Sequence, residues 1–232
     1  MAAGLDEAIR VLLQQMGGLY GRSLQSIDDE RQRAALQRTA AFVEAEMPQA
    51  RSFSEGGPYE AKIQLLEYAL ELAPAEGLVL EFGVATGDTL RRITAKRSPS
   101  HGFDSFEGLP EDWRTGYEKG AFAMAPPQIE GATLHVGWFD DTLPGFFAEH
   151  EGPIAFAHLD ADLYSSTVTI FREGEDRFVE GSILLFDEYF NYPGWEAHEH
   201  KAFLEFIERT GHGFEYLAYN GLHEQVVVRL TS

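Results

Sequence analysis

The chain has 232 residues, 44% of them hydrophobic and 12% aromatic, enough for one α/β domain with a full core and a short appendage. Its 38 acidic residues against 18 basic ones leave a net charge of −20, which turns away DNA, RNA and anionic membranes as partners. The absence of cysteine excludes disulfides, thiolate nucleophiles and Cys-ligated zinc; with no bilayer-spanning apolar run and no basic-then-apolar leader, the cytoplasm is the expected location.

Residues 1–50 read as a helical appendage to a domain over 51–232. Ala8, Val11, Leu12, Leu13 and Met16 form one apolar face, closed by Gly17 and Gly18. After Ser26 and Ile27, Asp28 or Asp29 is placed to cap a second helix towards Glu46. These helices would serve as a lid, as a dimer contact in a homo-oligomer, or as plain core-packing helices. Ser52 to Pro58 reads as a loop, and an amphipathic helix follows over Ala61 to Leu72.

Leu78 to Phe82 reads as the first strand, running into Glu81-Phe82-Gly83-Val84-Ala85-Thr86-Gly87 and a helix from about Asp88. Strand, glycine loop and helix N-terminus make a cradle whose backbone can approach a ligand and whose free N–H groups face it. The spacing Gly-x-x-x-Gly differs from the Gly-x-Gly-x-x-Gly used for pyrophosphate, and the acid at Glu81 favours an ammonium or a sulfonium instead. The next strand, about His101 to Phe103, ends in Asp104-Ser105; an acid there is placed to accept hydrogen bonds from ribose hydroxyls. Phe106 to Gln128 is long, irregular and rich in glycine and proline, suited to substrate contacts or to a surface insertion. A third strand, Thr133 to Val136, leads into Gly137-Trp138-Phe139, whose aromatics would hold an adenine ring or pack into the core.

Two later strands end in acids. The apolar run Ile154 to Leu159 reads as a buried parallel strand and stops at Asp160 and Asp162; Ser182 to Phe186 stops at Asp187 and Glu188. The carboxyl edge of an open α/β sheet is where ligands bind. Asp160, Asp187 and Glu188 converging there would need a cation, and a divalent ion such as Mg²⁺ suits hard oxygen ligands; the alternative is ordinary solvated loop acids. His158 stands on the same side of its strand as Asp160, as support for the metal site or as a core histidine. A helix covers His198 to Arg209. Strands at about Phe214 to Tyr219 and Gln225 to Leu230 close the chain as a hairpin.

This order resembles the class I S-adenosylmethionine-dependent methyltransferases. Within them, the chain looks like the metal-dependent O-methyltransferases of the macrocin type, which methylate sugar hydroxyls in antibiotic biosynthesis. The motifs that carry the resemblance are Glu81 to Gly87, Gly102 to Pro110, Gly137 to Pro144, Asp160 to Tyr164 and Asp187-Glu188-Tyr189. The resemblance implies a Rossmann-like fold: a seven-stranded, mostly parallel sheet ending in an antiparallel hairpin, with N-terminal helices. It implies that Glu81, Gly83, Thr86 and Gly87 flank the methionine part of S-adenosylmethionine. Asp104 and Ser105 would hold the ribose, and Gly137, Trp138 and Phe139 would surround the adenine, with Asp160 also beside the cofactor. Asp160, Asp187 and Glu188 would bind Mg²⁺ or another divalent cation, and Asp162 would be the base. Glu188 departs from the family pattern, in which an Asp is common.

Chemically, a metal holding two vicinal hydroxyls would fix a small-molecule acceptor in line with the sulfonium and lower its pKa. Asp162 would then take the remaining proton, with His198 and His200 as alternative bases. A sugar or diol of a natural product, or a catechol or phenol, satisfies this scheme. The rivals are an iron enzyme, which lacks its two-His-one-carboxylate set here, a nicotinamide dehydrogenase, disfavoured by the glycine spacing, and a non-catalytic partner-binding protein on the same scaffold.

Overall fold

The computed structural model describes residues 26–232. The helix expected around residues 8–16 lies outside them. The described chain opens with α1 (Ile27–Glu46), capped by Ser26, whose hydroxyl accepts the Asp29 N–H, rather than by either aspartate. Asp28, Asp29 and Glu30 instead fill its first turn, where negative charge suits the helix dipole.

Then follow β1 (Arg51–Phe53), α2 (Pro58–Leu72), β2 (Leu78–Phe82), α3 (Asp88–Lys96), β3 (Ser100–Asp104) and β4 (Ala132–Val136). Next come α4 (Phe139–Glu149), β5 (Ile154–Leu159), α5 (Tyr164–Glu173) and β6 (Ile183–Phe186). The chain closes with α6 (Glu199–Thr210), β7 (Gly213–Asn220) and β8 (Val226–Thr231). Among the described residues the strands form one sheet in the order β1-β7-β8-β6-β5-β2-β3-β4.

Seven of these strands are the expected ones, and only the terminal β7–β8 hairpin brings antiparallel pairing. The eighth corrects the reading of Ser52 to Pro58 as a loop throughout: Arg51, Ser52 and Phe53 pair in parallel with Ala218, Tyr219 and Asn220 at the sheet edge. The segment after β4 forms α4, which starts at Phe139 and carries Asp140 and Asp141 in its first turn.

The central strands are buried on both faces, as continuous apolar runs require. Leu80, Phe82, Phe156, Leu184 and Phe186 are fully enclosed. Each such side chain contributes about 1.5–3 kcal/mol through burial. That rigid apolar layer offsets the cost of the acids gathered at its end. Chain order reverses between β2 and β5, so the crevice of the sheet opens at their carboxyl ends. α1 packs by Phe42 against Tyr189, Trp195, His200 and Tyr216, and Thr39 Oγ1 accepts the Asn191 N–H, so it braces the segment after Glu188. No helix of the described residues is long and apolar enough to cross a membrane.

Candidate active site

The crevice is a cavity of about 400 Å³. One wall is backbone. Gly83 follows β2 with φ +89°, and a Cβ on it would lie 1.8 Å from the Asp160 carbonyl oxygen; glycine alone lets the ends of β2 and β5 come this close. Gly87, also at positive φ, caps α3. Asp104, at the end of β3, folds this wall: Oδ2 accepts the N–H groups of Val84 and Ala85 at 2.8 and 2.9 Å, and Oδ1 accepts that of Phe106 at 2.7 Å. A carboxylate offers about four acceptor positions, so roughly one is left for a ligand hydroxyl. Gly137, Trp138 and Phe139 line the same wall beyond Ser105.

The opposite wall is acidic. Strand pairing runs past the strand ends, with the Asp160 N–H on Phe82 O at 2.9 Å and the Asp187 N–H on Leu159 O at 2.8 Å, which sets the two aspartates side by side. Asp162 sits in the left-handed region at φ +60°, a conformation Asp tolerates better than most residues. Carboxylate oxygens of Asp160, Asp162 and Glu188 lie within 4.8 Å of one another; a second grouping joins His158, Asp160 and Asp187.

The two groupings differ in charge balance. Lys62 Nζ lies 2.7 Å from Asp187 Oδ1, 2.8 Å from its Oδ2 and 3.9 Å from Asp160 Oδ2. His158 Nδ1 bonds Glu81 Oε1 at 2.8 Å, and its Nε2 lies 3.5 Å from Asp187 Oδ1. Burial opposes the charge of His158, but bonds to Asp187 and Glu81 outweigh it and hold the imidazolium up to about 10. Burial also works against Asp187, yet Lys62 and His158 outweigh it and keep its carboxyl well below the usual range.

Asp162 has no such contact among the described residues. Burial, then the charges of Asp160 and Asp187, push it up to about 8, with the charge of Arg114 opposing only weakly. Asp160 rises to about 6 through burial and Asp187, with Lys62 opposing. Glu188 is driven well above the ordinary value by burial and by the neighbouring aspartates. Its Oε2 is buried without a hydrogen-bond partner among the described residues. An unpartnered buried carboxylate oxygen among hard-oxygen neighbours is what a divalent cation would complete.

The expected site residues are thus placed as follows. Gly83, Asp104, Ser105, Gly137, Trp138, Phe139, Asp160, Asp162 and Glu188 line one cavity. Glu81, Thr86, Gly87 and Asp187 do not: the carboxylate of Glu81 turns to His158 in the core, and Asp187 turns to Lys62. Sequence reasoning passed over three groups. Glu199, fully buried at the start of α6, accepts the N–H groups of Ala161 and Glu188 at 3.3 and 3.2 Å and so ties the two acidic turns together. Lys62 comes from the first turns of α2. Arg114, from the irregular 106–128 segment, stacks 3.9 Å over Trp113 and reaches both oxygens of Glu224 at 2.9 and 3.0 Å, strapping that segment to the terminal hairpin. None carried a motif; only the topology brings them to the crevice.

The chain matches the family model described as a methyltransferase domain over residues 80–189. A curated relative, the 8-demethyl-8-(2,3-dimethoxy-alpha-L-rhamnosyl)-tetracenomycin-C 4'-O-methyltransferase of Streptomyces olivaceus, is 28% identical over a region covering 55% of this chain and 60% of the relative. In fold, the chain is similar to the calicheamicin methyltransferase CalS11, with a TM-score of 0.58 at 20% identity, covering 85% of this chain and 91% of that one. It is similar also to the O-methyltransferase NovP, with a TM-score of 0.56 at 21% identity, covering 73% and 81%. The sheet order and the glycine loop agree with these likenesses: the chain has a Rossmann-like α/β methyltransferase fold, and its residues 80–189 match a methyltransferase domain.

Proposed function

We propose that the chain is an enzyme that moves a methyl group from S-adenosylmethionine to a hydroxyl of a small molecule, with a divalent cation, Mg²⁺ first among candidates, at its acidic wall. The observation that carries this is the pairing, across one cavity, of a backbone-built cradle at β2 and β3 with under-compensated carboxylates at β5 and β6. The Streptomyces relative, by its name, methylates a sugar hydroxyl of a tetracenomycin, which supports a natural-product sugar or diol as the acceptor. Trp113, Tyr117 and Phe122 give the cavity an aromatic side that suits the face of a pyranose, and equally favours a catechol or phenol as the second reading.

In this reading the Gly83 turn receives the methionine end of the cofactor, and Asp104 spends its remaining acceptor position on the ribose. Trp138 and Phe139 flank the adenine. Glu81 acts at one remove, by holding His158 against the acidic wall. Asp160 and Glu188 belong both to the ligand set expected from sequence and to the set that the geometry closes, and would hold the ion. When bound, the ion would supply positive charge that draws the acceptor oxygen towards its alkoxide form. Asp162, lining the cavity beside them, takes the acceptor's proton. The sulfonium S–C bond breaks as the O–C bond forms, which leaves S-adenosylhomocysteine and a methyl ether. Within the expected 1–50 appendage, α1 would brace the turn after Glu188.

The test is an assay of S-adenosylhomocysteine formation against rhamnosides, other vicinal diols and catechols, with and without EDTA, the product read by mass spectrometry. One added methyl group, lost on chelation and restored by Mg²⁺ or Mn²⁺, is the expected result. A methylated product formed at full rate in EDTA would remove the metal from the account.

A further inference from the structure

We propose that Lys62 is a resident cation of the acidic wall, whose ammonium withholds Asp187 from the divalent ion and weakens the binding of that ion. The inference rests on the reading of the wall as a divalent-cation site.

Lys62 Nζ contacts both oxygens of Asp187, at 2.7 and 2.8 Å. On the other side of that carboxylate stands His158 Nε2, at 3.5 Å from Oδ1. Asp187 does not line the cavity, whereas Asp160, Asp162 and Glu188 do, so an ion arriving through the cavity meets those three first. The same three form a carboxylate grouping in which Asp187 has no part.

The pairing is held from both ends. The Asn220 side-chain amide donates to the carbonyl of Pro58, the first residue of α2, at 3.0 Å, and to Gln225 Oε1 at 2.7 Å. Gln225 Nε2 in turn donates to the Asp187 carbonyl at 3.2 Å. The Gly221 N–H on Phe53 O, at 2.8 Å, pins the strand just before the helix. An amide bridge therefore fixes the start of the helix that carries Lys62 relative to the turn that carries Asp187. A tethered ammonium cannot diffuse away when a dication arrives: it keeps one carboxylate occupied, and it repels the newcomer.

The experiment measures Mn²⁺ uptake, without cofactor or acceptor, from the loss of the free aqua-ion electron paramagnetic resonance signal. It compares the wild-type chain with Lys62→Met, which keeps the length of the side chain and removes its charge, and with Lys62→Arg, which keeps the charge. Lys62→Gln and a thermal melt of each variant guard against a folding defect. The expected result is Mn²⁺ binding at least about tenfold tighter in Lys62→Met and Lys62→Gln, with Lys62→Arg within about threefold of wild type. Binding by the wild-type chain that stays equal or weakens in the neutral variants overturns the role of Lys62 and leaves the metal site standing. Failure of every protein, wild type included, to take up Mn²⁺ overturns the metal reading and the role of Lys62 with it.

Discussion

The two walls of the cavity handle their carboxylates in opposite ways. At the end of β3, Asp104 gives three acceptor positions to backbone N–H groups of its own chain. At the ends of β5 and β6, carboxylate oxygens of Asp160, Asp162 and Glu188 stand within 4.8 Å of one another, and one Glu188 oxygen has no hydrogen-bond partner among the described residues. The first wall is folded before any ligand arrives, and most of its charge serves to hold a loop, with about one acceptor position left over. The second carries an electrostatic cost until a cation or protons relieve it. Preorganisation belongs to the first wall and ligand dependence to the second.

The sharpest way to break this contrast is to cut each wall separately. Asp160→Asn should lower turnover by roughly 10³-fold or more while S-adenosylmethionine affinity stays within about threefold, as single-turnover kinetics and calorimetry would show. Equal losses in both would mean that the walls are not separable. Gly83→Ala drives a Cβ to within 1.8 Å of the Asp160 carbonyl, backbone against backbone, and should cost about 3 kcal/mol or more in denaturant unfolding. Asp104→Ala strips three N–H groups of their acceptor and should weaken cofactor binding by about 10- to 100-fold, with Asp104→Asn milder.

The pH dependence of stability sharpens the same comparison. Asp162, held up to about 8, and Asp160, up to about 6, retain protons in the folded chain that the unfolded chain releases near pH 4. Their contribution to stability is therefore full below about pH 4 and lost as pH rises through 6 and then 8. In EDTA the melting temperature should fall by about 5 °C over that window, and Mn²⁺ should recover it at the alkaline end. Asp187 contributes in the opposite sense: it is held low by Lys62 and His158, so its share is lost only on strong acidification. The smallest expected effect is that of Arg114→Ala. It cuts the strap to Glu224 and should cost about 1–2 kcal/mol, visible as a raised acceptor KM with little change in stability elsewhere.

What could be read in the sequence follows from how each feature is encoded. β2 over Leu78–Phe82 and β5 over Ile154–Leu159 are mainly apolar runs that stop at a glycine or an acid, so their limits and the acids near their ends were legible. β1 was not: Arg-Ser-Phe has no alternation long enough to register, and it becomes a strand only because β7 offers it an edge. α4 carries its legible signal in its first turn, where Asp140 and Asp141 suit the helix dipole. The convergence of Asp160, Asp162 and Glu188 was partly legible, since each closes a central strand. The company of Asp187 was not. Lys62 sits 125 residues away in an amphipathic helix, where a lysine signals only an exposed face, and Glu199 is similarly one acid at a helix start. Local pattern encodes strands and caps; which polar side chains meet at the crevice is encoded only by the folded topology.

The most direct test of the central claim is a calorimetric titration of S-adenosylmethionine into the purified chain, once with Mg²⁺ and once with EDTA. Saturable binding near one per chain in both buffers, with methyl transfer to a diol acceptor only in the first, is the predicted result. A folded chain that binds no S-adenosylmethionine in either buffer would contradict it.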